Sequence, residues 1–229
     1  MQLHQQEWDE SYSRNENFIF YPKEEVVKFL NRFVRKKVGV NEYLDILDFT
    51  NIVKGLDFGC GIGRITLLLK EFGIDAYGID ISSKAINLAK ELANSLDYHD
   101  MDNKFLSVSD DKIPFPNDYF DIVISEAVLD SMSFQQAKVA IKEIDRVTKR
   151  LAFISLISGN DDKHCPEYAG EETVQTQHEH GTIQTYFNWE RINELIRGSH
   201  FHLEWCHLIE EKSLLDDDKN GRYYIVLKK

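Results

Sequence analysis

The sequence predicts an α/β fold, in which a doubly wound, mainly parallel sheet ends in an antiparallel pair of strands. Short apolar segments alternate with segments whose apolar residues recur at helical spacing, the pattern of successive β-α-β units. The predicted strands are almost continuously apolar, which is typical of parallel strands covered by helices on both faces. The last two predicted strands have no helix between them and should therefore pair antiparallel.

The predicted elements follow in a regular order. A helix begins near Pro22, because apolar residues then recur at helical spacing. Strands are predicted at 52–59, 75–80, 105–108, 120–125 and 151–157, and helices at 65–72, after Ser82 or Ser83, and at 134–149. A helix capped by Asn188 runs to Arg197, and strands at 201–210 and 223–229 follow.

Composition narrows the class of protein. The chain has 229 residues, 42% of them hydrophobic and 29% charged, as in ordinary globular proteins. This length suits one large domain or two small ones. Lys and Arg number 27 against 39 Asp and Glu, for a net charge of −12. Such a charge repels phosphate backbones and anionic lipid, so we expect neither nucleic acid nor a membrane as partner.

The cysteines and the N-terminal sequence favour a cytoplasmic protein. Cys60, Cys165 and Cys206 are widely spaced and odd in number, which fits a reducing compartment better than a disulfide framework. The first residues lack the basic and apolar regions of a signal peptide. The longest apolar run, 151–157, is far shorter than the roughly 20 residues that span a bilayer.

The strongest chemical motif is a glycine-rich turn between the strand at 52–59 and the next helix. Gly59, Gly61 and Gly63 allow a tight turn and let backbone N–H groups approach a ligand that a Cβ would exclude. The N-terminus of the following helix suits an anionic or carboxylate-bearing group. The alternative is a tight turn without a ligand.

Two carboxylates accompany the turn. Asp80 ends the second predicted strand, one β-α-β step after Asp57, and at the carboxyl edge it can accept both hydroxyls of a ribose. Its alternative role is to cap the following helix. Asp57 lies two residues before the first glycine, where it can take the ammonium of an amino-acid group. The third glycine comes one residue too early for the G-x-G-x-x-G pattern of nicotinamide-binding proteins.

At these residues the chain resembles the class I S-adenosylmethionine-dependent methyltransferases, which have a Rossmann-like, seven-stranded fold. It is most similar to their type 11, small-molecule branch. LDFGCGIGR at 56–64 resembles the first motif of that family, YGIDIS at 77–82 the second, and 112–132 the third. The resemblance extends from about 56 to 157, and it implies S-adenosylmethionine as cofactor and S-adenosylhomocysteine as product.

The resemblance also implies roles for individual residues. The turn residues Asp57, Gly59, Cys60, Gly61 and Gly63 would surround the methionine part of the cofactor. Asp80 would bind the ribose, Ile81 would stack on the adenine, Ser109 or Asp110 would meet the adenine amino group, and Ser125 would line the sulfonium side. Cys60 needs no redox role, because a small buried side chain suffices there.

Candidates for the acceptor side come from the sequence itself, because the family has no universal catalytic base. Asp130 follows the fourth strand, where many members carry histidine, and it would orient the acceptor or cap a helix. His178 and His180 are spaced i, i+2 and would act as a base or remain surface residues. With Cys165 nearby, their spacing matches no recognised metal site, so we expect no metal.

The N-terminal segment is rich in aromatic residues, Trp8, Tyr12, Phe18, Phe20 and Tyr21. Similar segments in the family fold over the cofactor, although rings that merely cover the edge of the sheet would look the same. We therefore expect residues 1–37 to form a lid and helix, and 38–229 a single domain. The polar residues 158–181 form a long insertion typical of a lid, a binding loop or a disordered segment.

The predicted function is transfer of a methyl group to an oxygen or nitrogen of a small-molecule acceptor. Two alternatives remain open, a nicotinamide-dependent oxidoreductase on a similar sheet and a protein that binds S-adenosylmethionine without catalysis. The motifs predict neither the acceptor nor the oligomeric state.

Overall fold

The computed structural model describes residues 2–109 and 112–229. Six α-helices lie in this part of the chain: α1 (Gln2–Ser13), α2 (Glu24–Phe29), α3 (Arg64–Glu71), α4 (Ser83–Ser95), α5 (Phe134–Val147) and α6 (Trp189–Ile196). The strands are β1 (Arg35–Lys37), β2 (Tyr43–Asp45), β3 (Lys54–Phe58), β4 (Asp75–Asp80), β5 (Phe105–Ser107), β6 (Phe120–Glu126), β7 (Thr148–Ile157), β8 (Glu171–Thr173), β9 (Ile183–Thr185), β10 (His202–Lys212) and β11 (Lys219–Lys228). None of the described helices is long and apolar enough to cross a membrane.

Seven strands form the central sheet, in the order β10-β11-β7-β6-β3-β4-β5. The strands from β3 to β7 are parallel to one another. β11 lies antiparallel to β7, and β10 lies antiparallel to β11. The predicted mainly parallel, seven-stranded fold with an antiparallel C-terminal hairpin is confirmed.

The sheet is buried on both faces, which explains its continuously apolar strands. Alternate residues of β6 point to opposite faces. Ile122 and Ile124 join the hydrophobic cluster that includes residues of α3 and α4. Val123 joins the cluster on the other face, together with residues of α5 and α6. All seven residues of β6 are buried.

The parallel register brings three strand ends together at one edge of the sheet. β3 is the neighbour of both β4 and β6, with Asp57 opposite Gly78 on one side and Ile124 on the other. The glycine turn after β3 therefore lies between the end of β4 at Asp80 and the end of β6 at Glu126. In open α/β sheets this carboxyl edge is where ligands bind.

The structure adds elements that sequence periodicity does not predict. Residues 2–13 form α1, and β8 lies inside the segment 158–181, where it pairs antiparallel with β9. All three residues of β8 are exposed. A strand exposed on both faces has no alternation of apolar and polar residues, so the sequence carries no period-2 pattern there.

Candidate functional site

A cavity of about 350 Å³ lies at the carboxyl edge of the sheet, large enough for a small organic ligand. Its walls come from the N-terminal segment, the glycine turn, the ends of β4 and β6, the segment 158–181 and β11. The residues that matter for its chemistry are Tyr12, Lys23, Gly59, Cys60, Gly61, Arg64, Asp80, Ile81, Glu126, Asp130, Glu179 and Arg222.

The glycine turn needs glycine both for its backbone angles and for space. Gly59 and Gly61 have φ values of 74° and 53°, in the left-handed region that other residues rarely adopt. A Cβ on Gly61 would lie 2.6 Å from the hydroxyl oxygen of Tyr12, and a Cβ on Gly59 would collide with Val128. The turn therefore packs so closely against Tyr12 and Val128 that no side chain fits at Gly59 or Gly61.

The backbone N–H groups of the turn are used within the protein. Those of Gly59 and Cys60 both donate to the carbonyl oxygen of Ile79, at 2.8 and 2.9 Å. The N–H of Gly61 donates to Asp80 at 2.8 Å. The sequence predicted that N–H groups of the turn approach a ligand, but these three are already satisfied within the protein.

Asp80 lies at the wall of the cavity and is 8% exposed. Its Oδ1 accepts from the N–H of Ser82 and its Oδ2 from that of Gly61, both at 2.8 Å. Burial raises the pKa of Asp80 to about 6, although these two N–H groups oppose the rise. Since a carboxylate offers about four acceptor positions, Asp80 can also accept hydrogen bonds from a ligand. Ser82, rather than Asp80, caps α4.

Asp57 lies behind the turn and does not line the cavity. It is 1% exposed, and its Oδ2 accepts from the backbone N–H of Thr66 at 3.0 Å and from its hydroxyl at 2.8 Å. Burial raises the pKa of Asp57 to about 7. In this position Asp57 links the first turn of α3 to β3. It does not line the cavity, where the ammonium group of a ligand would be bound.

The other predicted cofactor residues divide into two groups. Cys60 and Ile81 line the cavity, and burial raises the pKa of the Cys60 thiol, which keeps it protonated. Gly63, Ser109 and Ser125 are not part of the cavity wall. Ser125 is buried on β6, with no hydrogen-bond partner for its hydroxyl among the described residues. Asp110 lies outside the described residues.

Asp130 lines the cavity, and one of its carboxylate oxygens has no hydrogen-bond partner in the described structure. It is 1% exposed, and its Oδ2 accepts from the N–H of Ile157 at 2.8 Å and from Nη1 of Arg222 at 2.7 Å. Its Oδ1 is buried without a hydrogen-bond partner in the described structure. The helix-capping alternative does not hold, since a capping box of Ser133 and Gln136 begins α5. A buried acceptor without a donor is costly unless a ligand supplies one.

Comparison with known proteins shows which family model the chain matches. Residues 56–156 match the family model described as a methyltransferase domain. The resemblance predicted from the three motifs is thereby confirmed, and the matched region runs from β3 to β7.

Two relatives of the methyltransferase domain have named activities. A sterol 4-C-methyltransferase of Caenorhabditis elegans is 28% identical over 184 residues, which cover 71% of this chain and 52% of that enzyme. A phosphoethanolamine N-methyltransferase of Plasmodium falciparum is 24% identical over 205 residues, covering 79% of this chain and 75% of that enzyme. The chain spans about half the length of three of the curated relatives it matches.

Solved structures of methyltransferases share the fold. A SAM-dependent methyltransferase of Methanosarcina mazei matches with a TM-score of 0.63 and 23% identity, covering 78% of this chain and 92% of that one. Magnesium protoporphyrin IX methyltransferase of Synechocystis, with bound SAM, matches with a TM-score of 0.52 and 17% identity, covering 76% and 70%. At these identities the likeness concerns the fold.

The fold does not bring the two candidate histidines to the cavity. His178 and His180 are exposed, and neither lines the cavity. The residue between them, Glu179, does line it. The N–H of Glu179 donates to Glu16 at 3.0 Å, which ties the segment 158–181 to the N-terminal segment.

The N-terminal segment covers part of the cavity. Trp8 and Tyr12 of α1 line it, whereas Tyr21 is 78% exposed. Asp9 anchors α1, because its Oδ1 accepts from the hydroxyl of Ser82 at 2.5 Å and from the N–H of Lys84 at 3.1 Å. Burial raises the pKa of the Tyr12 phenol, and the charge of Asp80 raises it further, so this hydroxyl remains a donor.

Sequence reasoning missed six charged residues of the cavity wall, Lys23, Arg64, Lys112, Glu126, Glu179 and Arg222. Glu126 ends β6 one residue after the predicted strand, so its place at the carboxyl edge could have been inferred. Arg222 meets Asp130 across 92 positions of sequence, on a strand whose register no local pattern reveals.

Proposed function

We propose that the protein is an S-adenosylmethionine-dependent methyltransferase that methylates an oxygen or nitrogen of a small-molecule acceptor. The observation that carries this proposal is that Asp130, whose buried Oδ1 has no hydrogen-bond partner in the described structure, lines the same cavity as Asp80 and the glycine turn. The cavity thus has one carboxylate for a nucleoside and a second for an acceptor that donates a hydrogen bond, as a two-substrate transfer requires.

The residues at the glycine turn suit this cofactor. Gly59 and Gly61 line the cavity, and Asp80 has acceptor capacity for both ribose hydroxyls. Ile81 and Cys60 supply apolar surface beside Asp80. Gly63 supports the turn, and Ser109, Asp110 and Ser125 stay assigned by resemblance alone. S-adenosylmethionine, when bound, supplies a methyl group activated by a sulfonium, and S-adenosylhomocysteine is the product.

Asp130 is the acceptor-orienting group in this proposal. Oδ2 is held by Arg222 and Ile157, whereas Oδ1 has no partner in the described structure and keeps its capacity to accept a hydrogen bond from the acceptor. An O–H or N–H that donates to Oδ1 is held in one orientation, and alignment of the two reactants is a large part of the catalysis of such a displacement. The same oxygen can take the proton that leaves the acceptor.

The small-molecule assignment rests on the relatives and on charge. The sterol and phosphoethanolamine enzymes are named for small acceptors, and their methylated atoms differ. The net charge of −12 disfavours nucleic acid. All three cysteines are free, which suits a reducing cytoplasm. The family match favours methyl transfer over the nicotinamide-dependent alternative.

Asp130→Asn tests this proposal against the non-catalytic alternative. The protein is incubated with S-adenosylmethionine carrying a labelled methyl group and with pools of small amines, alcohols and phenols. We expect labelled product with the wild type and a loss of about 10²-fold or more with Asp130→Asn, while S-adenosylhomocysteine binding is retained. Binding without transfer to any pool would support the non-catalytic alternative, and full activity of Asp130→Asn would exclude Asp130.

A further inference from the structure

We propose that Lys23 and Arg64, held together by Glu126, bind the carboxylate at the amino-acid end of the cofactor. This inference rests on the proposed function, because it assumes a cofactor that joins a nucleoside to an amino acid. The sequence assigned Asp57 to the ammonium at that end, but Asp57 does not line the cavity.

The three residues form one compact cluster at the end of β6. Lys23 Nζ lies 3.0 Å from Oε1 of Glu126, and Nη2 of Arg64 lies 3.0 Å from Oε2. The Glu126 side chain is 1% exposed, and all three residues line the cavity. They come from three separate parts of the chain, so their meeting is a product of the fold.

The cluster carries an excess of positive charge and unused donors. Burial raises the pKa of Glu126, but the charges of Lys23 and Arg222 outweigh burial and hold it below its usual range. Glu126 is therefore ionised, and the cluster keeps one net positive charge. Lys23 has three N–H donors and Arg64 has five, and each is seen to donate to only one side chain of the described structure, Glu126. A second carboxylate fits both the charge and the donors.

The distance between Asp80 and the cluster suits an elongated cofactor. β4 and β6 flank β3, so Asp80 and Glu126 are separated by two strand spacings, roughly 10 Å. The glycine turn lies between them. An elongated molecule that places its ribose at Asp80 and crosses the turn brings its amino-acid end to Lys23 and Arg64. Arg64 is also the first residue of α3, where the helix dipole favours an anion.

Two ligands separate this role from a merely structural one. S-adenosylhomocysteine carries the amino-acid end, and 5′-methylthioadenosine lacks it. Calorimetric titration of both into wild type, Lys23→Met and Lys23→Arg gives the affinities, and thermal unfolding reports on the fold. Lys28→Met is the matched control, because Lys28 forms surface ion pairs with Glu24 and Glu25 and does not line the cavity.

We expect Lys23→Met to weaken S-adenosylhomocysteine binding at least fivefold and to leave 5′-methylthioadenosine binding unchanged. Lys23→Arg should restore most of the loss, and Lys28→Met should match wild type. Decarboxylated S-adenosylmethionine should bind wild type and Lys23→Met equally, which tests the carboxylate itself. If Lys23→Met lost affinity equally for S-adenosylhomocysteine and 5′-methylthioadenosine, or lost none for either, the inference would be overturned. If wild type binds no adenosyl ligand at all, the proposed function fails with it.

Discussion

Among single residues, Asp80 has the clearest expected effect on the cofactor. Asp80→Ala removes the carboxylate that would accept the ribose hydroxyls, and charge-assisted hydrogen bonds of this kind contribute about 1.5–3 kcal/mol. We therefore expect S-adenosylhomocysteine affinity to fall about tenfold or more, measured by calorimetric titration. Asp75→Ala is the control, since Asp75 begins the same strand, pairs with Lys104 and does not line the cavity.

The Asp80 variant also tests the geometry of the site. Because Asp80 holds the N–H groups of Gly61 and Ser82, its loss also loosens the turn. Asp80→Asn keeps a carbonyl oxygen that can accept one of these bonds, so its affinity should lie between wild type and Asp80→Ala. An unchanged dissociation constant in Asp80→Ala would remove this residue from the cofactor site.

The raised pKa of Asp57 predicts that the free energy of unfolding depends on pH. Its pKa is raised by burial to about 7, against about 3.9 in an unfolded chain. Its contribution to the free energy of unfolding is therefore fully present below about pH 4 and is lost as the pH rises through 7. Asp57→Asn keeps an oxygen for the two Thr66 donors and cannot ionise.

Urea unfolding of wild type and Asp57→Asn between pH 4 and 8 measures this effect. The variant should gain stability relative to wild type across that interval, by about 1.4 kcal/mol for each pH unit of the shift. A stability difference that does not change with pH would show that Asp57 is ionised at the same pH in the folded and unfolded chains.

At the scale of structural elements, the contact between the glycine turn and α1 gives the most specific prediction. Gly61→Ala would place a methyl group 2.6 Å from the Tyr12 hydroxyl, at a φ of 53° that alanine disfavours. We expect lower stability together with weaker S-adenosylhomocysteine binding. Hydrogen exchange of residues 2–13 should rise, because α1 must shift.

Gly198→Ala is the control that separates the effect of the steric clash at Gly61 from the effect of backbone strain. Gly198 has a φ of 84°, and no atom lies within 4 Å of an added Cβ. This variant should lose about 1 kcal/mol of stability through strain and bind S-adenosylhomocysteine as wild type does. If both glycine variants bind equally well, α1 does not depend on the Gly61 contact.

For the whole molecule, the sequence was most informative where burial imposes a pattern. The alternation of strands and helices predicted the parallel sheet, and the position of Asp80 at a strand end predicted its place at the cavity. The sequence could not predict β8, whose residues are exposed. Nor could it predict the pairs of Arg222 with Asp130 and of Lys23 with Glu126, since these pairs depend on the packing of distant segments.

The fold by itself leaves the reaction open, because one α/β sheet can carry different chemistries. What favours methyl transfer is the combination of the family match, the acidic side chain at the end of β4 and the free oxygen of Asp130. Asp80 and Asp130 line the same cavity at the carboxyl edge of the sheet.

Calorimetric titration of the wild-type protein with S-adenosylhomocysteine, and separately with NADH, tests the central claim most directly. The cavity should bind S-adenosylhomocysteine with one site per chain, and NADH should show no saturable heat. Binding of NADH without binding of S-adenosylhomocysteine would contradict the claim and favour the nicotinamide-dependent oxidoreductase instead.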